Sequence, residues 1–477
     1  MALVVDWDPS RAEGQMQAVG CAPREAPRRR ARHRARPAIA GHPERHRRLR
    51  LLWLARWLSS IGDGLVFVAF PLLAVGVTRS PVLVAGVAFA TRLPWLLFAL
   101  PAGAIADRVS RRRLLAVVEV ARTALVVLLG VAVLAHRLLL VEIYGAAFLI
   151  STFETLFNSA SMAVIPQVVG TGDLVQANSR FQAAELSGEQ FIGPAVGGVL
   201  FATAASLPIF ADAASFAASA GLLLLALRPA RRLGRHGHAP TDDFALTEPE
   251  RSVGRPSLLR DVKEGLDWLV HEPKLRLVCA LIASFALAQG LGFGIMVLYC
   301  TKVLHLTGAG FGVFLAVAES GNVLGAWLAP RVHQRLGTGS TLVAVGLMCG
   351  TAFVVVGLTS SIEISAAALV VEAVAFGVGM VASMALRQRL IPVTLAGRVS
   401  AAVKSVIIGS GALATLLGGA LVAIWNPRLP FTVGGVAQIA AAVFIGGALA
   451  RRLAADERQL VDVTETVDLR EQPVEVR

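Results

Sequence analysis

The sequence predicts an all-α polytopic membrane protein with twelve transmembrane helices, six on each side of a long central loop. Three observations support this prediction. The 477 residues are 55% hydrophobic and only 16% charged, whereas soluble domains carry about 25% charged residues. The apolar stretches recur at lengths near the roughly 20 residues that cross a bilayer. They fall into two groups of six, separated by a single long polar connection.

The apolar stretches also divide the chain into five parts. We expect a basic N-terminal tail over 1–50, a first helical half over 51–227, a central loop over 228–276, a second half over 277–450 and a C-terminal tail over 451–477. Within the central loop, apolar residues recur at helical spacing and end before Pro273, which predicts an amphipathic helix on the membrane surface. These residues are Leu258, Leu259, Val262, Leu266, Leu269 and Val270.

The basic residues predict the orientation of the chain. Nearly all of them lie in the tails, the central loop and the loops that follow even-numbered helices, and the opposite side carries only Arg79, Arg137, Lys302 and Arg428. Because cytoplasmic loops carry the excess of Lys and Arg, both termini are expected in the cytoplasm. The net charge of +13 is thereby explained without nucleic-acid binding. The excess of arginine over lysine indicates a GC-rich bacterial source, and hence a bacterial inner membrane.

Several classes of chemistry lack support in the sequence. The four cysteines are scattered without C-x-x-C spacing, and none of the nine histidines falls in the middle of a predicted span. We therefore expect no metal site and no cofactor. A phosphate-binding loop of the G-x-x-x-x-G-K-[ST] kind is not found either, so ATP is not expected as a direct energy source.

The loop after the second helix contains Gly103, Asp107, Arg108, Arg111 and Arg112. The spacing G-x-x-x-D-R-x-x-R-R resembles the loop signature of the major facilitator superfamily, between its second and third helices. Glycine permits close approach of a neighbouring helix, and the aspartate can pair with arginines or with a helix N-terminus. We interpret the loop as a conformational latch on the cytoplasmic side. The alternative is that the arginines only anchor the topology.

The fifth helix carries Gly193, Pro194, Gly197 and Gly198. Proline kinks a helix and glycines let helices touch. The block resembles the helix-five motif of antiporting members of the superfamily, which implies a gating role, although ordinary packing is an alternative. The eleventh helix repeats the glycine pair at the equivalent place, which is consistent with an internal duplication.

Ionisable residues inside the spans are costly and are usually functional. Asp63 and Arg92 lie midway along the first and second helices, so they are predicted to pair across the first hairpin. Asp63 is the leading candidate for a proton carrier, and a static pair that fixes packing is the alternative. Glu119 and Arg122, one turn apart, are expected to form a structural pair.

Several other phrases resemble one branch of the superfamily, the enterobactin-type siderophore exporters and macrolide efflux proteins. They include the segment from Arg56 to Asp63, Pro71-Leu72-Leu73, Ala177-Asn178-Ser179 and Arg387-Gln388-Arg389-Leu390-Ile391-Pro392. This resemblance covers roughly residues 50–450. It implies two six-helix bundles around a central cavity lined by helices one, four, seven and ten. Glu154 and Glu372 are therefore expected at the cavity.

The resemblance implies a transporter that exports an amphipathic small molecule by alternating access, with export driven by the proton gradient. Its expected partners are the substrate, protons and the lipid bilayer, and the chain is expected to act as a monomer. A lysophospholipid transporter is an alternative. An intramembrane enzyme and a sensor without transport are further alternatives, but the lack of mid-span histidine disfavours the enzyme, and no appended soluble domain supports the sensor.

Overall fold

The computed structural model describes residues 43–169, 174–227, 267–391 and 395–455. These residues form twelve long helices in chain order and a short helical segment at 267–271. In the first half they are α1 (Pro43–Val77), α2 (Pro81–Arg108), α3 (Arg111–Leu134), α4 (Leu140–Val169), α5 (Leu174–Leu186, Ser187–Ile192 and Gly193–Thr203) and α6 (Leu207–Ala226). In the second half they are α7 (Pro273–Lys302), α8 (308–336), α9 (338–358), α10 (Ile362–Leu390), α11 (Ala396–Ile424) and α12 (Leu429–Ala455).

The predicted number of helices is confirmed, although only ten segments in the described chain are long and apolar enough to count as spans by composition. One of the ten, Gly308–Leu358, has 51 residues, which at 1.5 Å per residue is more than twice the thickness of a bilayer. It turns back at Gly337, whose φ of 73° is a left-handed conformation that glycine adopts without a steric penalty. The helix that is missing from these ten segments is α5. It contains the charged residues Arg180, Glu185 and Glu189.

Two ends differ from the sequence-based boundaries. α1 begins at Pro43, inside the tail that was predicted to extend to residue 50, because proline is favoured in the first helical turn and leaves no amide donor unpaired there. α12 continues to Ala455, five residues beyond the predicted end of the second half. Most of the predicted amphipathic helix of the central loop lies outside the described residues, and only 267–271 are seen as helix.

The twelve helices form two bundles of six. In the first bundle α1 packs on α5 and α6, α2 on α4, and α3 on α4 and α6. In the second bundle α7 packs on α11 and α12, α8 and α9 on α10, and α9 on α12. The bundles meet along two pairs of helices, α2 with α11 and α5 with α8.

Glycine pairs lie at equivalent places in the two halves. In α5, a Cβ on Gly197 would lie 3.0 Å from Leu65 Cα of α1, and a Cβ on Gly198 would lie 2.9 Å from Gly312 Cα of α8. In α11, a Cβ on Gly418 would lie 2.5 Å from the Leu291 carbonyl oxygen of α7, and one on Gly419 would lie 2.9 Å from Val82 Cα of α2. Each pair therefore contacts its own bundle through one glycine and the other bundle through the next. This arrangement supports the internal duplication.

The hydrophobic core shows which end of the molecule is closed. We call the end where α1 begins and α12 ends the terminal face, and the other end the opposite face. Among the described residues, one buried cluster joins the two bundles, and all of its members lie in the half nearer the opposite face, for example Phe70, Tyr299 and Phe311. The buried clusters in the terminal half each belong to one bundle alone. The structure is thus closed at the opposite face and open toward the terminal face.

Candidate substrate cavity and buried charge network

A cavity of about 420 Å³ lies between the bundles, within the size range of small-molecule sites. Its walls come from α1, α2, α4 and α5 of the first bundle and from α7 and α8 of the second. The polar groups on the wall come only from the first bundle: Asp63, Thr91, Arg92, Ser151, Glu154, Asn158, Glu185 and Glu189. The aromatic groups are Phe67, Phe70, Trp95, Phe293 and Phe311. Carboxylates and aromatic rings both line the wall of the first bundle, and the second bundle adds only apolar and aromatic side chains, so the cavity suits an amphipathic ligand.

The structure corrects the predicted partner of Asp63. Its carboxylate binds the guanidinium of Arg122 on α3 through Nη2, and it does not pair with Arg92. The pairing was wrong because α1 and α2 pack weakly against each other, so equal depth in the membrane did not bring the two side chains together. Asp63 still lines the cavity, with 11% of its side chain exposed.

Arg122 is completely buried and organises a network in the first bundle. Its Nη1 donates to Ser59 Oγ at 3.3 Å and lies 3.9 Å from Glu119 Oε2. Its guanidinium also stacks over the ring of Phe216, 4.0 Å from the centroid, which is a favourable cation–π contact. The predicted Glu119–Arg122 pair is confirmed, and Glu119 additionally accepts a hydrogen bond from Ser219 at 2.9 Å.

Arg92 crosses from the first bundle to the second. A Cβ on Gly411 of α11 would lie 2.6 Å from Arg92 Nη1, so the guanidinium rests against this glycine. Neighbouring contacts join the same two helices, since Lys404 Nζ lies 4.4 Å from the centre of the Trp95 ring. Arg92 forms no ion pair with a described carboxylate, although it lines the same cavity as four of them.

Glu154 lines the cavity as predicted. Two further carboxyls, Glu185 and Glu189, also line it, and Glu185 forms an ion pair of 2.6 Å with Arg56. Sequence reasoning did not assign Glu185 to the site. The available signal was its position one turn before Glu189 on the same helix, which places both on one face.

Glu372 does not line the cavity, contrary to the prediction. It is buried in the second bundle, where Gln289 of α7 donates to its carboxyl oxygen at 2.7 Å. Its backbone carbonyl faces Cys349 of α9. The face of α10 that carries Glu372 is thus covered by α7 and α9, so this residue belongs to the interior of the bundle.

The loop predicted as a latch connects α2 and α3 through only Val109 and Ser110. A Cβ on Gly103 would meet no described atom within 4 Å. The expected close helix approach at Gly103 is therefore not made in this conformation, because the terminal face is open. Arg111 is partly buried at the start of α3. The side chains of Asp107, Arg108 and Arg112 lie outside the described residues.

The glycine–proline block of α5 faces two helices at once. A Cβ on Gly193 would lie 2.5 Å from Gly64 Cα of α1. One on Gly312 of α8 would collide with the Pro194 carbonyl oxygen. The block follows a π-helical turn, Ser187–Ile192. Such turns are uncommon in proteins, and those that occur are often found at functional sites. Together with the contacts of Gly197 and Gly198, the block places α5 tightly between the two bundles.

A second cavity of about 320 Å³ lies within the first bundle, between α1, α3, α4, α5 and α6. It shares Asn158 and Glu185 with the central cavity and also contacts Arg56. Its other lining residues, such as Leu52, Asn178 and Gln182, lie toward the terminal face. The Arg56–Glu185 pair therefore sits at the junction of the two cavities.

Two helical bundles that enclose a central cavity and close it at one face define a membrane transporter. The chain belongs to the major facilitator superfamily: residues 52–415 match the family model described as Major Facilitator Superfamily. This family consists of transporters and not enzymes.

Relatives and solved structures agree with this assignment. The multidrug efflux pump Tap of Mycolicibacterium fortuitum is 26% identical over 384 residues, which are 78% of this chain and 88% of that protein. The uncharacterized MFS-type transporter YfiS of Bacillus subtilis (strain 168) is 26% identical over 396 residues, 81% of this chain and 89% of that protein.

Among solved structures, a point mutant of the nucleoside transporter NupG superposes with a TM-score of 0.64 at 10% identity, covering 84% of this chain and 98% of that one. A bacterial homologue of the human lysosomal transporter Spinster, in an inward-facing and unoccupied conformation, gives a TM-score of 0.62 at 16% identity, with 86% and 97% coverage. At these identities, the likeness shows the fold alone.

Proposed function

We propose that this transporter exports an amphipathic small molecule from a bacterial cell by alternating access, in exchange for protons. The observation that carries the proposal is the central cavity, whose carboxylates all come from the first bundle and whose aromatic side chains come from both bundles. The similarity to a multidrug efflux pump supports the substrate class. Aromatic walls bind diverse apolar rings, while the carboxylates favour ligands that carry a positive charge.

The orientation of the open face is compatible with loading of substrate for export. The terminal face carries most of the basic residues, so the positive-inside rule places it in the cytoplasm. The cavity is then open to the cytoplasm in this conformation and can load substrate there. In the alternate state the bundles would separate at the opposite face and meet at the terminal face. We propose that the latch residues Gly103, Asp107, Arg108, Arg111 and Arg112 hold that second contact.

Proton coupling is supported by the carboxyls of the first bundle. Asp63 connects the cavity to the buried Arg122, so a proton from the cavity competes with the ion pair. Protonation of Asp63 would release Arg122, and deprotonation would restore the pair. A carboxyl that exchanges a cation for a proton in this way can couple the two fluxes. Glu154 and Glu189 are further candidates on the same wall, and Arg92 adds a guanidinium that no described carboxylate pairs with.

The test is accumulation of labelled substrates in cells and in everted vesicles, with a panel of antibiotics and siderophores and with or without a protonophore. We expect the wild-type protein to lower accumulation of at least one cationic amphiphile, and the protonophore to abolish the effect. Asp63→Asn should remove gradient-driven export. Glu363→Gln, at an exposed residue, is the matched control. Export that persists in Asp63→Asn with the same sensitivity to the protonophore would refute Asp63 as the carrier.

A further inference from the structure

Asp212 is a buried carboxyl that the function proposed above does not use. It lies on α6, its side chain is fully buried, and neither of its carboxyl oxygens has a hydrogen-bond partner among the described residues. The nearby hydroxyl of Ser215 donates to the backbone carbonyl of Asp212 at 2.8 Å instead. An ionised carboxylate without partners is very costly in an apolar interior, and such a group binds a proton instead.

The charged groups around Asp212 are two acids and one base. α6 packs on α1 and α3, which contribute Asp63, Glu119 and Arg122. The part of α5 that touches α6, Gly193–Thr203, has no charged residue. Of the remaining helices, α4 contributes Glu154, which interacts electrostatically with Arg122. Arg122 is therefore the cation nearest to Asp212 among these groups, and Asp63 makes the shortest contact with its guanidinium.

Glycine makes this arrangement possible. A Cβ on Gly62 of α1 would collide with Asp212 Oδ1 and with Ser215 Oγ. The carboxyl of Asp212 is thus pressed against the backbone of α1, one residue from Asp63. The Nε of Arg122 and the Oε2 of Glu119 are also buried without a hydrogen-bond partner in the described part of the chain. The network accordingly retains one donor that an ionised Asp212 could use.

We propose that Asp63, Glu119 and Asp212 form a proton-binding site around Arg122, in which Asp212 holds the proton while the opposite face is closed. Loss of this proton to water, through Asp63 and the cavity, leaves a carboxylate that takes the Nε–H of Arg122. Arg122 then contacts the carboxylates of Asp63 on α1 and Asp212 on α6, whereas before it contacted those of Asp63 and of Glu119 on α3. The role of this exchange in export rests on the proposed function, but the protonation of Asp212 does not.

The test is infrared spectroscopy of the purified full-length protein at neutral pH, in H₂O and D₂O. Wild-type protein should show a protonated-carboxyl C=O band that is lost in Asp212→Asn and kept in Glu142→Gln, an exposed acid on α4. Gly62→Ala should shift the band, because the new methyl group displaces the carboxyl. Gly76→Ala, in the same helix with no described atom within 4 Å, should leave it unchanged. This control separates displacement of Asp212 from general effects on α1.

Two results would overturn the proposal. One is an identical band pattern in wild type, Asp212→Asn and Gly62→Ala. The other is loss of the band on adding sodium at constant pH, which would assign the site to a sodium ion. Because the spectrum requires no transport, its outcome tests the protonation of Asp212 separately from proton-coupled export. An Asp212 band without protonophore-sensitive export would reject the proposed function alone. Export that depends on the proton gradient, without the band, would reject this site alone.

Discussion

Arg122 binds carboxylates on two helices while it is excluded from water, so its removal leaves two buried acids without their shared cation. We predict that Arg122→Gln lowers the free energy of unfolding by about 3–5 kcal/mol, the usual cost of breaking a buried ion pair from one side. The midpoint of chemical unfolding in detergent measures this. Arg92→Gln is the matched control and should cost far less, because Arg92 has no ion-pair partner among the described residues.

The double variant Asp63→Asn/Arg122→Gln refines this prediction. If the cost arises from unpaired charge, removing both partners should recover part of the stability lost in the single variant. A double variant that is less stable than the wild type by the sum of the two single effects would show that the two residues act independently. Such additivity would contradict the network.

At the residue scale, the sequence revealed which side chains are unusual but not which of them meet. Asp63 was predictable because a charge in the middle of a span is rare, and Glu119–Arg122 was predictable because the residues are one turn apart. The Asp63–Arg122 contact joins α1 to α3, and no local spacing encodes it. Glu372 was misplaced for the same reason, since the rotation of α10 about its axis depends on packing against α7 and α9.

At the scale of elements, two neighbouring glycines of α5 make different contacts. Gly198 packs against the second bundle, whereas Gly197 packs against α1 of its own bundle. A methyl group on Gly198 would press on Gly312 of α8, across the interface that closes the opposite face. We predict that Gly198→Ala shifts the population toward the state that is open at the opposite face. Spin labels at Arg79, between α1 and α2, and at Lys302, at the end of α7, should report longer distances. The measurement is double electron–electron resonance in a background without native cysteines.

Two controls accompany this prediction. Gly221→Ala, in α6 with no described atom within 4 Å, should leave the distances unchanged. Gly197→Ala perturbs contact with Leu65 in the same bundle and should lower stability more than it changes the distances. Equal distance distributions in Gly198→Ala and wild type would mean that this contact does not control the closed state.

The helix-five block was interpreted from sequence as a gating motif, and its contacts with α1 and α8 are those that a gate needs. Its role in gating stays a prediction. Gly103 shows the reverse case, since a glycine in a similar motif touches no described atom in this conformation. A sequence encodes the contacts of every state of a transporter at once, whereas one structure displays the contacts of a single state. The open terminal face thus explains why this part of the latch is not assembled here.

At the scale of the whole molecule, the number of helices was predictable from apolar length and the loop pattern. One exception shows where hydropathy fails, since α5 carries three charged residues. The other arises from the backbone, because α8 and α9 form one continuous helical segment that turns at Gly337. The central cavity could be expected from the resemblance, but its walls could not, because α5 and α8 line it together with α1, α2, α4 and α7.

The orientation of the molecule in the membrane decides whether the open face loads or releases substrate. We predict that a cysteine at Arg335, exposed in the hairpin between α8 and α9, reacts with a membrane-impermeant maleimide only in everted vesicles or after permeabilisation. A cysteine at Asn426, exposed between α11 and α12, should react in intact cells. The two sites lie at opposite faces and are similarly exposed, so each controls for the reactivity of the other. If Arg335→Cys were labelled in intact cells, the terminal face would lie outside, and this conformation would be one of release or uptake instead of loading for export.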